Sequence, residues 1–370
     1  RDAQESRGLG DVYKRQPLYK PYMPEQLPDL DAIIHSGALS YGKWGLLLEE
    51  KLSTFLGIEN LLTTNSYASA IQVALTVLEL KPGDEVISSP MSCLASNMPL
   101  KTYGLDIVWA DIDPTTGTLS PDSVREKVTP KTKLIFHNHF CGYVGYVDEI
   151  NAVAKEFGIP VIDDCVEAFG SKYKGKYTGN LGTDLSVFSF QTVRLPNTVD
   201  GGAIVFNNKS LLDKAILTRD FGINRKTFRD EYAEISPSCD ISLSGYGATM
   251  SELNSYIGCM QMGTIQQLLE TQRLNSERWD TFLTENYPKV YKLNTRREIQ
   301  PNYWVYGCLA ENKLDMMLQF RSLGYYASGV HLNNNCYSIF GDKKYLPGVD
   351  SFNRNFLAIP CGWWVDRCLL

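Results

Sequence analysis

Between about residues 60 and 210, short apolar runs alternate with longer amphipathic ones, and this alternation constrains the fold more than any other feature of the chain. The runs Leu61–Thr63, Glu85–Ser88, Ile107–Ala110, Leu134–His137, Val161–Asp163, Val187–Phe190 and Ala203–Phe206 are rich in Val, Ile and Phe, and most are bounded by Gly, Pro or Asp. Such runs read as buried strands. Between them, Ala68–Leu80, Val124–Lys127 and Ile150–Phe157 read as helices. Alternation at this spacing builds βαβ units, so the sequence predicts an α/β fold with a mainly parallel mixed sheet and helices on both faces. Ligands of such sheets sit beyond the carboxyl ends of the strands, so functional residues should follow the strands.

The rest of the chain predicts a second, smaller unit. Met250 to about Phe282 reads as one long helix, and Lys289 onward mixes short strand and helix signals. The expected division is 17–288 for an N-terminal segment (Pro17–Leu39) with the large domain, and 289–370 for a small C-terminal α/β domain. Arg1–Gln16 is polar, without helical or strand periodicity, and resembles translated adapter sequence, so it is expected to be a non-native leader. Arg367–Leu370 is expected to be a similar scar on a truncated C-terminal domain.

Composition removes several function classes. The net charge is −6, with no Lys/Arg stripe, which argues against nucleic acid or an anionic membrane as partner. The uncharged run Val86–Leu100 is too short to span a bilayer. Nine cysteines, an odd number with no Cys-x-x-Cys pair, fit neither a disulfide framework nor a zinc site. A reducing, cytoplasmic setting is expected. His137-Asn138-His139 could put two imidazoles on one face of an extended segment, but no further ligand is near in sequence, so no metal is expected. Trp363-Trp364 reads as a packed aromatic pair, and Lys172–Lys176 as a solvated turn.

Three segments carry polar residues where a parallel sheet would use them. Val161–Ala168 is an apolar run ending in Asp163 and Asp164, with Glu167 three residues on; capping a following helix would serve as well as catalysis. Val187–Gln191 leads into a polar, hairpin-like loop, Thr192–Asn197, which returns through Gly201-Gly202, a pair that permits a sharp turn or a close backbone approach. Thr63–Ala70 places small hydroxyl residues at a helix start, which is either ordinary capping or an anion site.

In order and spacing, these segments resemble the pyridoxal-phosphate (PLP) sugar aminotransferases of the DegT–StrS group, of fold type I, from about Pro17 to Trp364. Ser36-Gly37, Gly42, Lys81–Ile87, Ala110–Pro114 and His139–Gly142 match landmarks of that group. So do Asp164–Ala168, Phe188-Ser189-Phe190, Asp200–Gly202, and Gly245-Tyr246 before Met250–Glu252.

The resemblance implies roles. Asp164 falls at the carboxylate that pairs with the pyridine nitrogen of PLP, and Glu167 at a position near its phenolic oxygen. Ser189 falls at a phosphate-binding hydroxyl. Ser66, Tyr67 and Ala68 fall on the loop whose backbone N–H groups hold the phosphate, and Gln191 is grouped with these cofactor-binding positions. Cys93 falls where an aromatic ring often stacks on the cofactor. Tyr67 replaces a glycine of the group, and Gly247 an asparagine that usually reaches a neighbouring subunit's phosphate.

The sharpest departure is Arg194. Four positions after Phe190 the group keeps the lysine that links covalently to PLP, and no lysine lies between Lys176 and Lys209. Lysine can be tuned to supply a neutral amine, whereas guanidinium stays charged and is poorly nucleophilic. The resemblance implies transfer of an amino group, from a donor such as glutamate, to a keto group on a nucleotide-linked deoxysugar, in amino-sugar biosynthesis for cell-surface polysaccharide, by a homodimer that shares its active sites. With Arg194, little or no transamination is expected, and any PLP is held without a covalent bond. Three explanations stay open: a sequencing error or damaged gene, a pyridoxamine-phosphate-dependent sugar dehydratase, and a non-catalytic homologue that binds PLP or a nucleotide sugar to regulate. The Arg225–Ser242 stretch carries no pattern that identifies the sugar.

Overall fold

The computed structural model of the chain describes residues 16–365. Arg1–Arg15 of the expected leader and the C-terminal Arg367–Leu370 lie outside the described residues. Gln16 bridges to Tyr325, its carbonyl accepting the Tyr326 N–H at 2.9 Å.

In chain order, the strands of the large domain are β1 (Leu61–Thr64), β2 (Glu85–Ser88), β3 (Asp106–Trp109), β4 (Thr132–Asn138), β5 (Val161–Asp164), β6 (Lys172–Tyr173), β7 (Lys176–Tyr177), β8 (Leu185–Ser189) and β9 (Gly202–Phe206). Seven of them form one sheet in the order β1-β9-β8-β5-β4-β2-β3. From β8 to β3 all neighbours are parallel, and β9 runs antiparallel to both β8 and β1. Every residue of β1, β5, β8 and β9 is buried, as a strand covered on both faces requires.

The helices are α1 (Leu30–Ile34), α2 (Lys43–Leu56), α3 (Tyr67–Val77), α4 (Leu94–Thr102), α5 (Pro121–Lys127), α6 (Val147–Phe157), α7 (Lys209–Arg219), α8 (Glu252–Met262), α9 (Ile265–Asn286), α10 (Lys313–Ser322) and α11 (Pro347–Asn355). Local chemistry sets several starts and stops. Ser66 caps α3 by accepting the Ser69 N–H, Ser120 caps α5 in the same way, and Gly158 ends α6 in the left-handed region at φ 66°.

One reading from sequence needs correction. The expected helix from Met250 to Phe282 is two, α8 and α9, broken at Gly263-Thr264, where the Thr264 hydroxyl donates to the Gln261 carbonyl at 3.2 Å. A glycine inside a helical pattern does not by itself announce a break. Helix α4 was not anticipated, because Pro99 sits inside it and removes a donor that a regular helix uses.

The smaller unit is an antiparallel sheet of β10 (Val290–Lys292), β12 (Tyr306–Ala310) and β13 (Phe356–Ile359), while β11 (Ile299–Gln300) pairs with β6. Trp279 and Leu283 of α9 pack with Phe320, Tyr325, Leu357 and Ile359, so this helix shares a core with the three-stranded sheet. Lys172–Lys176 is a two-strand hairpin, with Lys174 bonded to Asp148 and Lys172 over the Tyr177 ring. Trp363 and Trp364 meet edge to face at 5.9 Å.

Candidate active site

The carboxyl end of β5 delivers two acids into the interior. Asp164 is fully buried; its Oδ1 accepts the Tyr67 hydroxyl at 2.5 Å and the Val166 N–H at 3.1 Å, and its Oδ2 has no hydrogen-bond partner. Burial pushes this carboxyl above its ordinary value, against the pull of the Tyr67 and Ser96 hydroxyls and the Val166 N–H. Tyr67 is the first residue of α3, and its phenol is pushed well above its usual range by burial and by the Asp164 charge.

Glu167, on the turn after β5, has a different environment. Its Oε1 lies 2.7 Å from His331 Nε2 and 3.5 Å from Arg194 Nη1, and its Oε2 accepts the Cys141 N–H at 2.7 Å. Burial alone would raise this carboxyl, but His331, Arg194 and the Cys141 N–H together hold it below its ordinary value.

The loop between β8 and β9 supplies the facing wall. Ser189 ends β8, and its hydroxyl accepts the Gln191 N–H at 3.3 Å; Arg194 follows on the same loop, its N–H donating to the Gln191 carbonyl at 2.8 Å. A Cβ at Gly202 would lie 2.8 Å from the Ser66 carbonyl oxygen, so only glycine lets the start of α3 sit against β9. The glycine pair therefore serves close approach.

Arg194 is 8 % exposed, and its Nε and Nη1 are buried without a hydrogen-bond partner. Its guanidinium lies over the Trp304 ring at 4.4 Å. Trp304 in turn donates from Nε1 to the Val193 carbonyl at 3.0 Å and stacks on Tyr19 at 4.5 Å.

One cavity of about 670 Å³ gathers the positions singled out from sequence: Ser66, Tyr67, Ala68, Cys93, Ser189, Gln191 and Arg194 all line it. Asp164 and Glu167 stand behind this lining, joined to it through Tyr67 and Arg194. The half-buried Cys93 thiol is pushed up by burial and by the Glu167 charge. Sequence reasoning missed His331, Trp304 and Tyr19, which arrive from distant segments with no local motif around them.

Behind the site, the parallel register sets His137 beside Asp163, and their Nδ1 and Oδ1 atoms are 3.0 Å apart. His139 Nε2 lies 3.7 Å from Asp163 Oδ2, which also accepts the Thr183 hydroxyl at 2.7 Å. The fold thus adds Asp163 to the two histidines, with candidate ligand atoms within 4.8 Å of one another. The carboxylate bonds His137 and Thr183, the Gly145 N–H donates to His139 Nδ1, and both Nε2 atoms are without a hydrogen-bond partner, so the His137–Asp163 bond ties β4 to β5. Arg225–Ser242 is mostly exposed, with a bridge between Arg229 and Ile235.

Comparison with known proteins supports the same family. A profile described as the DegT/DnrJ/EryC1/StrS aminotransferase family matches residues 22–339. The chain is similar to the sugar aminotransferase CalS13 of Micromonospora echinospora, with 26 % identity, TM-score 0.88, and coverage of 95 % of this chain and 96 % of that one. It is similar to AtS13 of Actinomadura melliaura, with 27 % identity, TM-score 0.89, and coverage of 96 % and 95 %. It also matches a protein of Geobacillus stearothermophilus named "pleiotropic regulatory protein", 26 % identical over 350 residues, covering 92 % of this chain and 90 % of the relative.

Proposed function

The chain belongs to the DegT/DnrJ/EryC1/StrS aminotransferase family, and from that premise we propose that its cavity is a cradle for pyridoxal 5′-phosphate without the covalent anchor of a working aminotransferase. The observation that carries this reading is Asp164 Oδ2, a buried carboxylate oxygen with no partner behind a cavity large enough for a cofactor. A protonated ring nitrogen supplies the donor that oxygen lacks, and its charge offsets the cost of ionising Asp164 in the interior.

The remaining residues fit the same group. The first N–H groups of α3 have no intrahelical acceptor and present the positive end of the helix dipole, so Ser66, Tyr67 and Ala68 would receive the phosphate together with the Ser189 hydroxyl. Gln191 and Cys93 line the same cavity, and Cys93 would take the place of a ring stacked on the cofactor. Tyr67 holds Asp164 Oδ1 in place, and Glu167 orients Arg194 and His331. Bound there, the cofactor supplies the electron sink used to move an amino group.

In this reading the site descends from one that passes an amino group from a donor such as glutamate to a keto group on a nucleotide-linked deoxysugar. Arg194, at the lysine position, stays protonated and cannot act as nucleophile or proton shuttle, so transamination is expected to be slight or absent. The relative named as a regulatory protein favours a second reading, in which the scaffold binds cofactor or nucleotide sugar and regulates rather than turns over. No helix among the described residues is long and apolar enough to cross a membrane. In either reading the chain would work in the cytoplasm as a homodimer.

Titrating pyridoxal 5′-phosphate into the protein and into Asp164→Asn, with the cofactor's absorbance as readout, tests the cradle. Binding by the parent that weakens by about tenfold or more in the variant supports it. No binding by the parent contradicts it.

A further inference from the structure

We propose that Arg194 makes this pocket selective for ligands bearing an oxygen where the family's lysine would bond, so that it takes pyridoxal 5′-phosphate in preference to the amine, pyridoxamine 5′-phosphate. The inference rests on the cradle reading above and adds to it which form of the cofactor the site holds.

The guanidinium is not free to find an acceptor within the protein. Its face is laid on Trp304, whose own position is fixed by the Val193 carbonyl and by stacking on Tyr19. Glu167 is the carboxylate beside it, but that acid already bonds His331 through Oε1 and the Cys141 N–H through Oε2. At 3.5 Å from Arg194 Nη1 it offers charge without a hydrogen bond, and both Nε and Nη1 remain unpartnered in a side chain only 8 % exposed. Buried donors left unmade are costly, and a ligand that brings an acceptor removes that cost.

Charge sharpens the choice. A lysine amine can give up its proton, whereas guanidinium remains a cation at every physiological pH. A ligand with an aldehyde oxygen or its hydrate offers Arg194 an acceptor. A ligand with an aminomethyl group is an ammonium at neutral pH; it brings no acceptor and sets like charge against like in a site of low dielectric. A dehydratase that works from the amine form would therefore be poorly served by this residue.

The test is equilibrium affinity for both cofactor forms, each measured by displacing 4-deoxypyridoxine 5′-phosphate, so that adducts at surface lysines do not contribute. In the parent, pyridoxal 5′-phosphate should bind about tenfold or more tightly than pyridoxamine 5′-phosphate. In Arg194→Gln that ratio should fall toward one, while 4-deoxypyridoxine 5′-phosphate, which has no oxygen at that carbon, binds both proteins to within about threefold. Equal or tighter binding of the amine by the parent overturns the proposal, as does a ratio that Arg194→Gln leaves unchanged. If 4-deoxypyridoxine 5′-phosphate itself does not bind the parent, the cradle reading falls and the inference falls with it.

Discussion

Asp164 and Glu167 leave the same strand end three residues apart, and both are buried, yet the protein treats them oppositely. Around Glu167 both oxygens are bonded, and His331 and Arg194 balance its charge, so it ionises more readily than an ordinary glutamate despite burial. Around Asp164 there are a phenol, a hydroxyl and one N–H but no cation, and Oδ2 has nothing. Burial therefore wins, and its pKa rises. The charge of Glu167 is balanced inside the chain, and in the proposed reading that of Asp164 is balanced by the ring nitrogen of a bound cofactor.

Substitution separates the two acids. Glu167→Ala should have the largest effect, about 3–5 kcal/mol lost in urea unfolding, because it leaves Arg194 buried without its counter-charge. A loss below about 1 kcal/mol would mean the acid does not balance the arginine. Tyr67→Phe removes the donor from Asp164 Oδ1 and should cost about 1–3 kcal/mol, with the aspartate pKa rising further when followed by NMR.

The two acids should also give stability slopes of opposite sign. Glu167 has a depressed folded pKa, so its contribution is present above the ordinary value of 4.5 and is lost as pH falls toward its folded value. Asp164 has a raised folded pKa; its contribution is full below the ordinary 3.8 and is lost as pH rises through the folded value. Unfolding of Glu167→Gln should lose the first slope, and that of Asp164→Asn the second. The smallest effect belongs to the stability of Asp164→Asn at neutral pH, which should change by no more than about 1 kcal/mol, since the amide does not have to ionise in the interior.

Most of the sheet was legible because its strands carry short Val-, Ile- and Phe-rich segments, and those of β5, β8 and β9 are buried throughout. The site acids and Ser189 were legible for the related reason that they follow those runs directly. What was not legible arises across distance. Glu167 meets His331 over 164 positions, and Trp304 reaches Val193 over 111. No local pattern marks such partners, because they come from segments far apart in the chain. The grouping of His137 and His139 with Asp163 was hidden in the same way, since it depends on the register between β4 and β5. The break at Gly263-Thr264 was missed because apolar residues continue on both sides of it, Ile257, Met260 and Met262 before and Ile265 and Leu268 after.

The cavity is proposed as a cofactor cradle without its covalent anchor. The most direct test is borohydride trapping of the pyridoxal 5′-phosphate-loaded protein beside its Arg194→Lys variant, with absorbance and peptide mapping. The account predicts that the parent binds the cofactor but gives no reduced adduct in the peptide containing position 194, and that the variant gives one there. Failure of the lysine variant to trap cofactor at 194 would contradict it, because the residue would then not face the bound ring.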